Sequence, residues 1–449
     1  MGESPVCAYT VIPLANPIKK HWNWHGDTLR VDPGGGTLPE TGVDWPKHGF
    51  THVDAPCHMV RGSLTLDQCR LDQLCGEAAI IDISDLVPAK PATANVLLAR
   101  GRHVRDGDIV VLRSNLNQVF PNTTDDYWQN SPWLDASGSQ WIVDHGCKAL
   151  VIDFPQDYNA REMTGRLVNN DEFVEHQIVL GAKLMHLEHV VNLWQIDQDR
   201  VFLVGWPLRL PKADGGPASP VVLTEWPSSD PHIVDLSLPI EPDWRSRVQI
   251  GLAKSFEKGD PVQETGVRVD GHSHTHVLTP KYLDRTAPAL DAFIGQPLVG
   301  PADVADIRDV PDNTAVEPTH LITTLPDARG GDIVILHSGF TERCSYSDAK
   351  WSQRSPWLTE AAATLLLERG YHIVAGDFDI DEGRKTLRGA PAHARDLKAE
   401  ATLLRGGAAL VKNVANVGAL KTKNPWLVAM PLNLPGAEAA PARVLGLEW

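Results

Sequence analysis

The strongest constraint on the fold is a tandem duplication, because several segments of the first half recur 224 residues later. The segment "GDIVVLRS" at 107–114 matches "GDIVILHS" at 331–338, and "SPWL" occurs in both halves at the same spacing. "PLRLPKADGGPA" from Pro207 aligns in the same way with "PLNLPGAEAAPA" from Pro431. A constant spacing over such separated segments does not arise from composition. We therefore expect two related domains within one chain.

The duplication also indicates where the domains meet. At 449 residues, the chain is too long for one ordinary hydrophobic core. The first repeat ends near Leu223 and the second begins near His232, and the segment "TEWPSSDP" between them has the proline and serine content of a linker. We predict a first domain at 1–223, a linker at 224–231 and a second domain at 232–449.

Hydrophobic patterns within each repeat predict a mixed α/β fold. The runs "AAIIDI", "DIVVLR", "ALVIDF" and "VFLVGWPL" of the first repeat are typical of buried strands. "SQWIVDHG" has the spacing of a helix that ends at Gly146, and "FVEHQIVLG" resembles a helix that ends at Gly181. Strands that alternate with helices indicate an α/β domain in each half. The order of the strands does not follow from these patterns.

Charge and cysteine content narrow the choice of partners and compartment. A net charge of −16 argues against binding to nucleic acid or to an anionic membrane surface. We find no apolar run of about 18 residues that would span a membrane. The first residues lack a basic segment followed by an apolar one, so we expect no secretory signal, and the six cysteines include no CxxC pair. We therefore expect an acidic cytoplasmic protein without a disulfide framework.

Four candidate metal ligands fall within one short segment: His48, His52, Asp54 and His58. Imidazole nitrogens and carboxylate oxygens are ligands for zinc or manganese. In a fully extended strand His48 and His52 would lie about 13 Å apart, too far to share one ion. The backbone must therefore bend, and Gly49 and Pro56 are the places where bending is easiest. The alternative is a loop of hydrogen-bonded histidines without a metal.

The segment "HGFTHVDAPCH" resembles the HxGTHxDxPxH signature of the metal-dependent cyclase-like hydrolases, although Phe50 stands where that family usually has a small residue. The family includes bacterial kynurenine formamidases, isatin hydrolases and related lactone hydrolases. A second family element is a histidine followed twelve residues later by glutamate, which His176 and Glu188 supply. "WHGDT", which begins at Trp24, is similar to a third element, with His25 in place of proline.

The resemblance implies a fold, a ligand set and a role for each site residue. Each repeat would be a cyclase-like domain of the swivelling β/β/α type, and the two would form a pseudo-dimer within the chain, which leaves a further homo-oligomer open. One or two divalent ions, Zn²⁺ or Mn²⁺, would be bound in the first repeat by His48, His52, Asp54, His176 and Glu188. His58 would transfer protons, and Trp24 would contact the substrate. His186 and His189, which flank Glu188, are interpreted as surface or outer-sphere residues.

The function implied is hydrolysis of an amide bond in an arylformamide or in a cyclic amide such as isatin. A divalent ion lowers the pKa of water toward neutrality, and a histidine can protonate the amine that leaves. Trp24 and Trp22 favour a small aromatic substrate. A lactone hydrolase of the same family is the alternative. A metal-bearing binding or scaffold protein without turnover is another, but it would leave His58 without a task.

The second repeat keeps only part of the ligand set. His48 and His52 correspond to His272 and His276, whereas the other four positions are changed. The replacements are Leu278 for Asp54, Tyr282 for His58, Glu400 for His176 and Lys412 for Glu188. Leucine has no lone pair, and a lysine ammonium repels a cation. We predict that the second repeat binds no catalytic metal and is retained for its shape.

Overall fold

The computed structural model describes residues 9–24, 27–31, 38–45, 48–155, 157–162, 168–227, 229–242, 248–325, 332–387 and 393–449. The strands of the first repeat are β1 (Val11–Pro13), β2 (Asp27–Val31), β3 (Glu40–Trp45), β4 (His52–Asp54), β5 (Cys75–Asp82), β6 (Pro91–Ala92), β7 (Ile109–Arg113), β8 (Trp133–Leu134), β9 (Ala149–Ile152), β10 (Met185–Glu188), β11 (Arg200–Val204), β12 (Gly215–Pro217) and β13 (Val221–Leu223). Its α-helices are α1 (Ala94–Arg100), α2 (Leu116–Val119), α3 (Asp126–Gln129), α4 (Ala136–Asp144) and α5 (Val174–Gly181).

The second repeat follows a similar order of elements. Its strands are β14 (His232–Asp235), β15 (Val248–Lys254), β16 (Glu264–Asp270), β17 (His276–Leu278), β18 (Val299–Asp306), β19 (Ala315–Val316), β20 (Ile333–His337), β21 (Trp357–Leu358), β22 (Ile373–Gly376), β23 (Ala409–Lys412), β24 (Trp426–Pro431) and β25 (Ala439–Glu448). Its α-helices are α6 (Pro318–Ile322), α7 (Phe340–Arg343), α8 (Trp351–Arg354), α9 (Glu360–Glu368), α10 (Arg384–Leu387) and α11 (Lys398–Arg405). The order differs in that β25 alone corresponds to β12 and β13 and the helix α10 precedes α11.

The chain folds into two compact units, and each unit takes in a segment of the other repeat. Unit 1 contains the described residues of 1–26, 45–230 and 251–266, and unit 2 contains those of 27–44, 231–250 and 267–449. Segment 251–266 of the second repeat therefore belongs to unit 1, and segment 27–44 of the first repeat belongs to unit 2. The domain boundaries drawn from the repeats alone stay a prediction.

Unit 1 is built on a nine-stranded sheet with the order β1–β13–β11–β5–β7–β9–β10–β4–β12. Strands β5, β7, β9 and β10 are parallel, and α1, α4 and α5 are among the elements that connect them. Every residue of β9 and β10 is buried, as expected for parallel strands covered on both faces. Strand β4 pairs antiparallel with both β10 and β12, and this end of the sheet carries the histidine segment.

The elements predicted in the first repeat are present close to their expected positions. The four apolar runs correspond to β5, β7, β9 and β11. Helix α4 begins after Asp135, whose carboxylate accepts the N–H of Gly138 at 2.8 Å, and the chain turns at Gly146 with a φ of +66°. Helix α5 ends at Gly181. The mixed α/β class is therefore confirmed.

Unit 2 repeats this plan with an eight-stranded sheet of order β14–β25–β17–β23–β22–β20–β18–β24. Strand β24 also pairs with β25, so this sheet closes on itself. Within unit 2, β2 also pairs antiparallel with β3, and β19–β21 is a short parallel pair that corresponds to β6–β8 of unit 1. No helix among the described residues is long and apolar enough to cross a membrane.

Candidate metal-binding and catalytic site

Two neighbouring strands bring four ligand-type side chains to one face of the unit 1 sheet. In the antiparallel pair β4–β10, Asp54 lies opposite His186 and His52 lies opposite Glu188. Side chains two residues apart on a strand point to the same face. These four buried side chains therefore line one patch, although β4 and β10 are far apart in the sequence.

A bend before β4 places His48 beside the same patch. The left-handed backbone conformation occurs at Phe50, with a φ of +57°, and not at the neighbouring glycine. Gly49 is needed for a different reason, because an added Cβ would lie 3.0 Å from the side chain of Trp24. The rings of His48 and His52 end with their centroids 5.0 Å apart. The expected bend is thus present, one residue later than Gly49.

The carboxylate of Asp54 is the centre of the cluster. Its Oδ1 lies 2.5 Å from Nδ1 of His48 and 3.4 Å from Nε2 of His52. Its Oδ2 lies 3.4 Å from Nε2 of His176. The same nitrogen of His176 is 3.2 Å from Oε1 of Glu188, whose Oε2 is 3.8 Å from Nε2 of His52. The structure thus brings together all five residues that the resemblance implied as ligands.

Outer hydrogen bonds and contacts fix the orientation of the histidine rings. His176 Nδ1 donates to the carboxylate of Asp157 at 2.7 Å, and His52 Nδ1 donates to a main-chain carbonyl at 2.9 Å. The Nε2 of His48 lies 3.1 Å from Oδ2 of Asp214. In each ring the other nitrogen is left to face Asp54. A carboxylate or carbonyl behind a histidine is the usual support of a metal ligand.

Burial and neighbouring charges shift the pKa values of the side chains in the cluster. Burial opposes the charged form of His48, but the carboxylates of Asp54 and Asp214 raise its pKa well above the ordinary value. Burial would raise the pKa of Asp54, yet the imidazoles of His48 and His52 lower it well below the ordinary value. Burial and the charge of Asp54 raise the pKa of Glu188 to about 7. Protons and cations therefore compete for these side chains.

The donor atoms fit a divalent cation. Among the residues that the structure describes, Nδ1 of His48, Oδ1 of Asp54, Oε1 of Glu188 and both ring nitrogens of His186 are buried and make no well-directed hydrogen bond, although several of these atoms lie close to one another. Leaving such a group unpaired costs about 1–3 kcal/mol. Ligand atoms within 4.8 Å of one another form three groups: Asp54, His176, His186 and Glu188; His48, Asp54 and His58; and Asp157, Glu175 and His176. Nitrogen and carboxylate ligands of this kind suit zinc and manganese.

His58 occupies the edge of the cluster with one nitrogen already engaged. It ends the short 3-10 helix Pro56–His58, and its ring stacks on His48 at a centroid distance of 4.1 Å. Its Nδ1 lies 2.6 Å from the carbonyl oxygen of Gln263 and 3.0 Å from Oδ2 of Asp214. Because a carbonyl oxygen can only accept, Nδ1 carries a proton, and in the neutral form of the ring Nε2 then has the lone pair.

Trp24, the expected substrate contact, lies in a buried aromatic group next to the cluster. Its ring stacks on His21 at 4.4 Å and lies 4.9 Å from the ring of His189. The ring of His189 is in turn 5.9 Å from that of His52. Trp22 is partly exposed nearby, against Trp128. The next two residues of the quoted segment, 25 and 26, lie outside the described residues.

A comparison with known families matches both halves of the chain. The family model described as putative cyclase matches the chain twice, at residues 12–156 and 234–381. The chain belongs to this family. The duplication, the family resemblance and the fold class with two tandem cyclase-like regions are therefore confirmed, since each half carries one match.

Individual relatives each align with about half of the chain. The kynurenine formamidase of Polaromonas naphthalenivorans (strain CJ2) is 28% identical over 221 residues, which are 48% of this chain and 90% of that relative. The kynurenine formamidase of Salinibacter ruber (strain DSM 13855 / M31) is 22% identical over 207 residues, 45% of this chain and 86% of the relative. An isatin hydrolase solved with the product analogue thioisatinate is 17% identical, with a TM-score of 0.42, and covers 49% of this chain and 93% of its own.

The surface interpretation of His186 and His189 is wrong, because both side chains are buried. His186 Nδ1 lies 3.1 Å from Oε1 of Glu188 and 3.7 Å from Oε1 of Glu175. His189 Nδ1 contacts the hydroxyl of Tyr127 at 3.1 Å. The two-residue spacing of His186 and Glu188 on a strand was the signal that could have placed them on one face.

Asp214 is a site residue that the motif analysis missed. Burial would raise the pKa of its carboxylate, but hydrogen bonds from His48 and His58 lower it. The equivalent residue in the second repeat is Glu438, so both copies have an acid here. This shared acidic position within an aligned block was the available signal.

The corresponding region of unit 2 contains an ion pair where unit 1 has its ligands. Lys412 contacts the carboxylate of Glu400, and Arg384 Nη2 lies 2.7 Å from Oε2 of the same residue. Lys412 lies opposite His276 in the strand pair β17–β23, the register that Glu188 and His52 have in unit 1. The lysine ammonium thus takes the place of a ligand. That the second repeat binds no catalytic metal stays a prediction.

Proposed function

We propose that the chain is a metal-dependent hydrolase that cleaves an amide bond, with its reaction centre in unit 1. The observation that carries this proposal is the arrangement around Asp54, whose two oxygens face different histidines. His48 and His52 lie on the side of Oδ1, and His176 lies on the side of Oδ2. Asp54 placed in this way would hold a divalent cation together with the histidines on either side of it.

The proposed ligands are the five residues of the cluster, with Zn²⁺ or Mn²⁺ as the ion. His48, His52 and Asp54 would hold the first ion, and Asp54, His176 and Glu188 would hold the second where two are bound. A cation in this position supplies Lewis acidity, which lowers the pKa of water and polarises a carbonyl group. His186 is close enough to Glu188 to orient that carboxylate or to join the second set of ligands.

The proposed proton carrier is His58. Its Nδ1 is engaged by two oxygen acceptors, so the neutral ring can take a proton only at Nε2. A proton accepted there from the attacking water can be returned to the amine nitrogen as the amide bond breaks. An amine is a poor leaving group unless it is protonated, which is why amide hydrolysis needs such a residue.

The proposed substrate is a small aromatic amide, either an arylformamide or a cyclic amide of the isatin type. The aromatic group around Trp24, which includes Phe50 and Trp128, lies beside the ligand cluster and suits a flat ring. The relatives named kynurenine formamidase support the same substrate class for this chain. We further propose a cytoplasmic location for the reaction.

The test uses the purified full chain, elemental analysis and a panel of formanilides, isatins and lactones. We expect amide hydrolysis that is lost with a chelator and restored by Zn²⁺ or Mn²⁺. His58→Gln should lower kcat by about 10²- to 10⁴-fold while the metal content stays unchanged. If the chain hydrolysed only the lactones, its function would be that of a lactone hydrolase and not of an amide hydrolase. A metal-loaded chain that turns over none of the panel would contradict an enzymatic function.

A further inference from the structure

A segment of the second repeat lies inside unit 1 and contacts the proposed proton carrier. Within unit 1, the N–H of Gln263 donates to the main-chain carbonyl of His58 at 3.0 Å. The carbonyl of Gln263 in turn accepts from the ring nitrogen Nδ1 of His58 at 2.6 Å. The main chain of one residue therefore holds both the backbone and the side chain of His58.

The same segment also places one side chain, that of Thr265, next to the ligand cluster. The hydroxyl of Thr265 donates to Oδ1 of Asp214 in a short hydrogen bond. The other oxygen of Asp214 faces Nδ1 of His58 at 3.0 Å and Nε2 of His48 at 3.1 Å. Both Thr265 and Asp214 are buried. Since a carboxylate can rotate about its bond to Cβ, the hydrogen bond from the threonine fixes the orientation in which the group faces the two imidazoles.

The segment is anchored next to these contacts. Val262 packs in an apolar cluster of unit 1 with Met59, Phe173 and Leu180. The side-chain amide of Asn170 lies 2.6 Å from the carbonyl oxygen of Pro261. This anchoring comes from residues of the first repeat, so the position of Gln263 and Thr265 does not depend on their own contacts alone.

Unit 2 contains the equivalent contact, but it has no histidine at the position of His58. Thr41, from the first repeat, donates its N–H and its hydroxyl to the carboxylate of Glu438, at 2.6 and 2.5 Å. Both threonines belong to the tetrapeptide "ETGV", which occurs at the same place in each repeat. The residue equivalent to His58 in unit 2 is Tyr282. The same structural device is thus present twice, next to a candidate proton carrier only in unit 1.

We propose that the second repeat supplies the positioning residues of the reaction centre in unit 1: Gln263 through its main chain and Thr265 through its hydroxyl. They hold His58 with the proton on Nδ1 and keep Asp214 turned toward the histidines. The effect on turnover rests on the proposed hydrolase function, whereas the protonation pattern of His58 does not. The second repeat, which lacks the complete ligand set, is then retained because the reaction centre in unit 1 needs its segment 251–266.

The test compares Thr265→Val with Thr41→Val in the full chain. Thr265→Val removes the donor to Asp214 with little change in volume, and we expect kcat to fall about 10- to 100-fold with little change in KM. Thr265→Ser should restore kcat because it keeps the hydroxyl. Thr41→Val removes the equivalent bond in unit 2 and should leave kcat unchanged. Equal losses in the two valine variants, or no loss in either, would overturn the proposal.

A second measurement does not need activity. Nitrogen-15 spectra of histidine-labelled full chain, with the His58 signals assigned by their loss in His58→Gln, report which ring nitrogen is protonated. We expect the Nδ1–H form in the wild type, and changed His58 signals in Thr265→Val but not in Thr41→Val. Protonation at Nε2 in the wild type would overturn the proposal. If the wild type hydrolysed no amide, the hydrolase function would fail while these spectra still decided the positioning.

Discussion

His176 faces Asp54 across the cluster, with 3.4 Å between Nε2 of the imidazole and Oδ2 of the carboxylate. The two side chains come from helix α5 and strand β4, and the rear nitrogen of His176 is held by Asp157. The opposite oxygen of Asp54 faces the histidines of the first motif. The two parts of the ligand set are therefore joined through one carboxylate.

We predict that Asp54→Ala abolishes metal binding at both parts of the cluster. The substitution removes the carboxylate shared by the two sets of ligands. Loss of a residue that only supports a ligand typically lowers metal affinity about 10- to 100-fold, and we expect a larger fall here. Metal content of the dialysed full chain, measured by elemental analysis, checks this. The matched control is Leu278→Ala at the equivalent position of the second repeat, which should keep the wild-type metal content. Equal metal content in the two variants would refute the assignment.

We predict that Lys412→Met destabilises the chain without changing its metal content. Lys412 and Glu400 form a buried ion pair, and removal of the lysine takes away a charge-assisted hydrogen bond worth about 1.5–3 kcal/mol, while Arg384 still pairs with Glu400. Burial lowers the pKa of Lys412, so the carboxylate of Glu400 is what keeps its charge in place. Urea unfolding of the full chain measures the loss. The exposed Lys423→Met is the control, and equal stability of both variants would exclude a structural role for the pair.

We predict that metal affinity rises with pH through about pH 7. Burial and the charge of Asp54 raise the pKa of Glu188 to about 7, so below that pH a cation must displace a proton from this ligand. The raised pKa of His48 acts in the same direction, since a protonated imidazole cannot bind a metal. Competition titrations with a chromophoric chelator between about pH 6 and pH 8 measure the slope. An affinity independent of pH would mean that Glu188 is not a ligand.

The four candidate ligands of the first motif stand out in the sequence because such residue types rarely occur so close together, whereas His176 and Glu188 were implied by the family resemblance. The bend was misplaced by one residue, since a glycine was assumed to supply the unusual backbone angle. In the structure Phe50 adopts that angle, and Gly49 is small because Trp24 packs against it. Such a contact with a distant residue leaves no local pattern in the sequence.

It could not be predicted that segments 27–44 and 251–266 each join the unit of the other repeat, although the tetrapeptide that they share is visible in the sequence. The "ETGV" copies show that both repeats contain the same strand, but no local pattern says which unit each strand joins. Thr265 lies near Asp214 only because 251–266 is part of unit 1. His186 was set aside for a related reason, since its burial depends on the neighbouring strand β4 and helix α5.

We predict that Gly215→Ala displaces His48 and weakens metal binding. A Cβ at this position would lie 2.5 Å from Cε1 of His48 and 2.6 Å from the main-chain oxygen of Val53. The second contact is with the backbone of a sheet strand, which cannot move cheaply, so the imidazole must shift. Overpacking of this kind costs about 1–3 kcal/mol. Elemental analysis and the metal titration of the variant measure the effect.

The second repeat supplies the control for this substitution, because its equivalent residue is Ala439. The unit without the complete ligand set therefore already carries the side chain that the intact unit excludes. Ala439→Gly should cost about 0.5–1 kcal/mol of stability through the flexibility of glycine in a strand, with no change in metal affinity. A Gly215→Ala variant with wild-type metal affinity would show that the close approach of β12 does not hold His48 in place.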